Sequence, residues 1–245
     1  MTSYPVPTTV VFLLTVLAIV IVFPWAIGHA GRATAEPAGK RKQWIAAALL
    51  GILAWAALSA SLAGSGVLGR FDLMPPPFMV LLVASTALTA VLAFSRVGAR
   101  LIGGIGLSAL IGYQAFRIPV ELVLHSLYGA GVVPQQMTFE GRNFDIVAGI
   151  TALALFLISR RWALNRWLVL VWNLAGLALL VNIVTVAVLS APVPFRVFMN
   201  EPASVFVTTV PYIWLPAILV QAAWFGHLLV FRNLWRYRGQ VSGGL

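Results

Sequence analysis

"TVVFLLTVLAIVIVFPWAIG", residues Thr9 to Gly28, runs for twenty residues without a charge. About 20 apolar residues, at 1.5 Å each along a helix, cross the hydrocarbon core of a bilayer. The run is longer than the apolar region of a secretion signal. The "MTSYPVPT" before it has no basic residue, so it reads as a first span that stays in the membrane. Six further stretches qualify: 44–64, 76–95, 104–128, 144–159, 167–190 and 211–231. Prolines punctuate them. "MPPPF" (Met74–Phe78) opens the third, "SAPVPF" (Ser190–Phe195) closes the sixth and "VPYIWLP" (Val210–Pro216) opens the seventh. The expected fold class is an all-α bundle of seven transmembrane helices, one domain over residues 1–245.

Composition agrees. The chain is 61% hydrophobic and 9% charged, where a soluble domain carries about 25% charged residues. Mean hydropathy is +0.97. With no cysteine, disulfides, thiolate metal sites and cysteine nucleophiles are excluded. A net charge of +10 raises the question of nucleic acid, but the cations sit in short loops between apolar runs and form no basic domain, so the expected partner is the lipid bilayer.

Those cations set an orientation. Arg32, Lys40, Arg41, Lys42, Arg96, Arg100, Arg160, Arg161, Arg166, Arg232, Arg236 and Arg238 fall on one side, against Arg70, Arg142 and Arg196 on the other. The richer side is expected in the cytoplasm, which puts the N-terminus outside and the C-terminus inside. Seven helices in that orientation are the layout of retinal proteins. Here the only lysines, Lys40 and Lys42, lie in a loop, so a retinal Schiff base is excluded.

"FRIPVELVLH", Phe116 to His125, places Arg117, Glu121 and His125 at steps of four, on one face of a helix. A charge in the membrane is costly, so the stripe must face protein or a wet cavity. Spacing pairs Arg117 with Glu121 and lets His125 bond Glu121. Pro119 between them is expected to kink the helix. The following loop, "MTFEGRNFDI", adds Glu140, Arg142 and Asp145 within six residues. Asn143 or Asp145 can cap the fifth helix. Arg142 is expected to bond a carboxylate, so that loop and stripe form one outward-facing polar pocket. The plainer reading is an internal salt bridge with a helix cap above it.

A second polar set is Gln114, Asn173, Asn182, Gln221 and His227. Amides in membranes commonly hold helices together. Counted along the helices, His227 falls about 20 Å from the Glu121–His125 pair, too far to complete a metal site there. His29 and His227 could flank a haem, but no other feature supports one, so neither metal nor cofactor is expected. There is no phosphate loop, nucleophile elbow or HExxH.

"FRIPVE", "MTFEGRNFD", "WN", "LSAPVPF" and "PYIWLP", with the "MPPPF" opening, resemble a family of uncharacterised bacterial multi-pass membrane proteins over about two-thirds of the chain. The resemblance implies a bacterial inner-membrane protein and supplies no reaction. The leading functional expectation is binding or transport of a small solute, with proton coupling. Arg117 would hold an anionic group, Glu121 would carry charge or a proton, and His125 would relay protons outward. The rivals are an intramembrane enzyme using Glu121 and His125 on a lipid-like substrate, and an assembly subunit without a pocket. Homo-oligomerisation stays open.

Overall fold

The structure, a computed structural model, describes residues 4–236. Arg238, counted above with the cytoplasmic cations, lies outside them. The fold is all-helical, with no strand among the described residues. Among the described residues nine α-helices follow in order: α1 (Val6–Ala33), α2 (Ala38–Gly64), α3 (Pro77–Phe94), α4 (Arg96–Gly104), α5 (Leu107–Gly112), α6 (Arg117–Gly129), α7 (Asp145–Ser159), α8 (Arg166–Leu189) and α9 (Val220–Arg236). Six helical segments are long and apolar enough to cross a membrane: α1, α2, α3, the run Leu107–Gly129, α8, and Leu215–Arg236. This is a multi-pass membrane protein. The fifth expected span is helical but short: α7 has 15 residues, about 22 Å of helix against a core of about 30 Å.

Local chemistry explains the boundaries. Prolines occupy the first turns of α1 and α3, where the missing N–H costs nothing. Ser95 ends α3 and caps α4, its Oγ accepting from Val97 N at 3.0 Å. The sequence reading took α4 for a loop. It is an amphipathic helix that buries Gly98, Leu101 and Ile102.

The stretch 104–128 is not one helix. It breaks into α5, a 3-10 turn at Tyr113–Phe116, and α6. Pro119 offers no N–H to the carbonyl of residue 115, and a tighter turn lies directly ahead of α6, beside that proline. The seventh stretch is also displaced. Residues 211–213 form turns, Trp214 is helical, Leu215–Leu219 is a π turn holding Pro216, and α9 then runs to Arg236.

The helix Leu215–Arg236 is the hub, with 67% of its most apolar window buried, against 6% for α2 at the periphery. The core has two halves. Phe12, Leu127, Tyr212 and Ile213 lie in one, and Ile27, Ile111, Val169 and Val230 in the other. Two reciprocal indole bonds hold α2 to the hub. Trp55 Nε1 donates to Ala217 O, and Trp214 Nε1 donates to Ala56 O, each at 3.0 Å. At the end where the cation-rich loops gather, Arg232 Nη1 donates to Ala93 O and Ser95 O at 2.6 and 2.8 Å. There Arg100 also engages Glu36 with both arms of its guanidinium.

Candidate functional site

The striped face of α6 does find partners, but not within α6. Each of its ionisable groups meets a residue of the segment that descends into α7. Arg117 pairs with Asp145, Glu121 with Asn143, and His125 approaches Glu140. The geometry is a three-rung ladder between α6 and residues 140–145, in place of the expected Arg117–Glu121 and Glu121–His125 pairs. Antiparallel neighbours explain it: as α6 rises by one turn per rung, the returning chain falls by a comparable amount.

The deepest rung is the most elaborate. Arg117 is 2% exposed. Its Nε donates to Asp145 Oδ2 at 2.6 Å, and its Nη2 bonds Asp145 Oδ1. Nη1 and Nη2 both reach Gly176 O, at 3.3 and 3.2 Å, and Nη1 donates to His227 Nε2 at 3.0 Å. All five guanidinium N–H groups are thus engaged. Gly176 is required here, since a Cβ would stand 2.7 Å from His227 Cε1.

The sequence reading set His227 about 20 Å from the Glu121–His125 pair, and its contact is instead with the deepest residue of the stripe. The long Arg117 side chain makes that contact. It merges the two polar sets into one network.

Hydrogen-bond roles fix the protonation pattern. Asn173 Nδ2 donates to the backbone carbonyl of His227 at 3.2 Å, which leaves Asn173 Oδ1 facing His227 Nδ1 at 2.8 Å. That nitrogen must carry the proton. Arg117 can only donate, so Nε2 must accept. His227 is therefore neutral, protonated on Nδ1 and wedged between Asn173 and Arg117. Trp172 covers the ring with centroids 5.8 Å apart.

The middle rung is a carboxylate held by an amide. Asn143 Nδ2 lies 2.6 and 2.7 Å from the two oxygens of Glu121 and 3.1 Å from Met137 O, while Asn143 Oδ1 accepts from Asp145 N at 3.1 Å. Asn143 thus bonds the first amide of α7 from two residues ahead, while the N-cap position is Phe144 and carries no side-chain cap bond. Asp145 spends its carboxylate on Arg117. The segment is seated by a 3-10 turn at Gln135–Met137, and Gln136 Nε2 donates to Ser190 Oγ at 3.0 Å.

The outer rung is loose. His125 Nδ1 stands 3.7 Å from Glu140 Oε1, both side chains are part-exposed, and His125 stacks on Phe139 at 4.6 Å. Among the described residues, Arg142 bonds no carboxylate. Its guanidinium lies over Phe198, 5.1 Å from the ring centre, and its carbonyl accepts from Asn182 Nδ2 at 2.7 Å. The loop is held to α6 through Asn143 and to the end of α8 through Gln136. Its charged residues do not converge on an outward-facing pocket.

Gln114 and Gln221 serve other contacts. Gln114 Nε2 donates to Ala223 O at 3.0 Å, and Gln221 Nε2 to Pro216 O at 3.1 Å.

A cavity of about 70 Å³ reaches Arg117, Glu121 and Asp145. Its other walls are hydrocarbon, including Phe78 and Leu82 of α3, Leu180 and Val184 of α8, and Leu219 beside α9. Arg117 has no donor left for a ligand. Glu121, whose oxygens accept only from Asn143 among the described residues, has acceptor capacity to spare. Asn143 and Gly176 were the residues hardest to find from sequence. Asn143 reads as a cap, and a glycine inside an apolar helix carries no polar signal.

No family model matches the chain, and neither a curated protein nor a solved structure shows detectable similarity to it.

Proposed function

We propose that the chain crosses a bacterial inner membrane seven times and binds a lipid-like molecule, taken from the bilayer, whose polar end enters the cavity at Glu121. One observation carries the ligand class: beyond Glu121 and the mutually paired Arg117 and Asp145, the cavity is walled by apolar side chains of the helices around it. A sugar or an inorganic ion would find one carboxylate not already paired with a cation, among hydrocarbon. An amphiphile matches both parts, its tail against α3 and α8 and its polar end, a hydrogen-bond donor or a cation, on Glu121.

α7 supplies the seventh crossing. It is short because the segment before it, with Gln136, Met137, Thr138 and Asn143 buried, is packed into the bundle and makes up the remaining thickness. Irregular backbone is tolerated at that depth when protein surrounds it. The cation count puts the N-terminus outside. A reporter fused after Leu245 should be active only in the cytoplasm; activity on the opposite side would reverse this orientation.

Native mass spectrometry of protein released from its own membranes tests the ligand. The wild type should carry a bound species of lipid mass. Glu121→Gln should lose it, whereas Glu140→Gln, on the exposed rung, should keep it. A bare wild type, or a Glu121→Gln protein that retains its ligand, overturns the reading and leaves the network as a device for holding helices together.

Proton-linked movement of a small solute is the second reading. It draws on the stepwise exposure from buried Glu121 to His125 and Glu140, whose side chains are 38% and 47% exposed. Solute uptake into proteoliposomes driven by a pH gradient would favour it.

A further inference from the structure

A second and larger cavity, about 480 Å³, lies between α2 and α3, away from Glu121. α2 packs along α1, while α3 packs on α9 and α4, so the two helices face each other across open space. The walls are apolar and aromatic, with Phe23, Trp44, Trp55 and Phe225 among them. Among the few polar wall residues, Ser85, Thr89 and Gln221, only Gln221 carries an amide. Gln221 is 7% exposed and sits on the hub helix.

Its amide orientation is fixed. Pro216 O can only accept, so the nitrogen of Gln221 must face it at 3.1 Å, and the same nitrogen lies 3.4 Å from Thr86 Oγ1. The hydroxyl of Thr86 is itself committed as donor to Leu82 O at 2.8 Å. That leaves Gln221 Oε1 as a buried acceptor with no donor among the described residues. Buried acceptors are almost always satisfied, because an unmade bond in an apolar setting is costly.

We propose that this cavity binds a membrane-soluble alcohol or phenol, an apolar molecule with one hydroxyl, which donates to Gln221 Oε1. The chemistry selects that class. The volume and walls call for a hydrocarbon body, and aromatic rings on several sides suit a flat or branched one. The buried acceptor left without a donor at Gln221 calls for one donor, and the absence of any charged residue from the walls argues against a phosphate or carboxylate head. The acyl chain of an ordinary phospholipid fits the walls but brings no donor to this depth. The site is separate from the Glu121 cavity and stands whether or not that one binds a lipid.

A matched pair of probes tests the proposal. 4-Decylphenol and decylbenzene differ only in the hydroxyl, and their binding to the purified protein in detergent can be followed by the fluorescence of Trp44 and Trp55. The wild type should bind the phenol about tenfold more tightly, the scale of one buried hydrogen bond. Gln221→Met should bind both probes alike. Gly51→Phe provides a control on the walls: Gly51 lines the cavity, and a Cβ there meets no atom within 4 Å. The added ring should fill the space and weaken both probes while the protein keeps its melting temperature. Equal binding of the two probes by the wild type would overturn the proposal. So would a preference for the phenol that survives Gln221→Met, or binding of both probes unaffected by Gly51→Phe.

Discussion

Arg117 shows how partner choice escapes a single-sequence reading. Spacing correctly put it on one face with Glu121 and His125, and correctly required that face to meet protein. Spacing could not say which carboxylate it would take. A neighbour at i+4 on the same helix competes with any acid that tertiary structure delivers, and Asp145 arrives with both oxygens aligned to the guanidinium fork. The pair should behave as buried ion pairs do when one member is removed. Arg117→Gln and Asp145→Asn should each lose about 3–5 kcal/mol, and the double variant should recover part of that loss. Thermal unfolding of the four proteins in detergent gives the coupling. Arg117→Gln combined with Glu121→Gln should show much less recovery, since no direct bond joins those two residues. Strictly additive losses for Arg117 and Asp145 would place the network's stability elsewhere.

At the scale of elements, apolar length was the reliable signal and internal breaks were not. α1, α2, α3 and α8 lie close to their expected stretches, because about 20 uncharged residues leave the backbone little choice in lipid. The breaks at 113–116 and 215–219 lie beside Pro119 and Pro216, and whether such a proline gives a kink, a tighter turn or a π turn is set by the packing around it. A linear pattern does not contain that information. The segment 135–143 is similar. Its charged residues drew attention, yet its uncharged ones build the structure. Gly141 shows this most sharply, since a Cβ there would lie 2.6 Å from the Cα of Gln136. Gly141→Ala should force the two strands of the loop apart, disturb the Asn143–Glu121 bonds and cost about 1–3 kcal/mol. A melting temperature equal to wild type would show that the loop can shift without loss.

For the whole molecule, the cation-rich end is fastened as well as charged. Arg100 lies between α1, the loop before α2, and Trp44. Its Nε donates to Ile27 O at 3.1 Å, its two arms hold Glu36, and its guanidinium lies 5.2 Å from the Trp44 ring centre. The hydrogen bonds from Arg100, with its charge, hold the Glu36 carboxyl below its ordinary value of 4.5. The ionised form is the one bonded, so its contribution is fully present above about pH 4.5 and fades as pH falls through the lowered value. Melting curves of wild type and Glu36→Gln should therefore differ from pH 7 down to about 4.5 and converge in more acid solution. An unchanged gap at low pH would assign the difference to another cause.

The network around Arg117 also imposes an order on synthesis. Its partners lie 28, 59 and 110 residues further along the chain, at Asp145, Gly176 and His227. At about 5–20 residues per second on the ribosome, the last of them emerges on the order of ten seconds after Arg117 itself. Throughout that interval α6 carries an arginine and a glutamate that hydrocarbon will not accept alone. The nascent α6 must therefore wait beside the insertion machinery until α7 joins it as a hairpin, and the bundle closes only when the final helix is released.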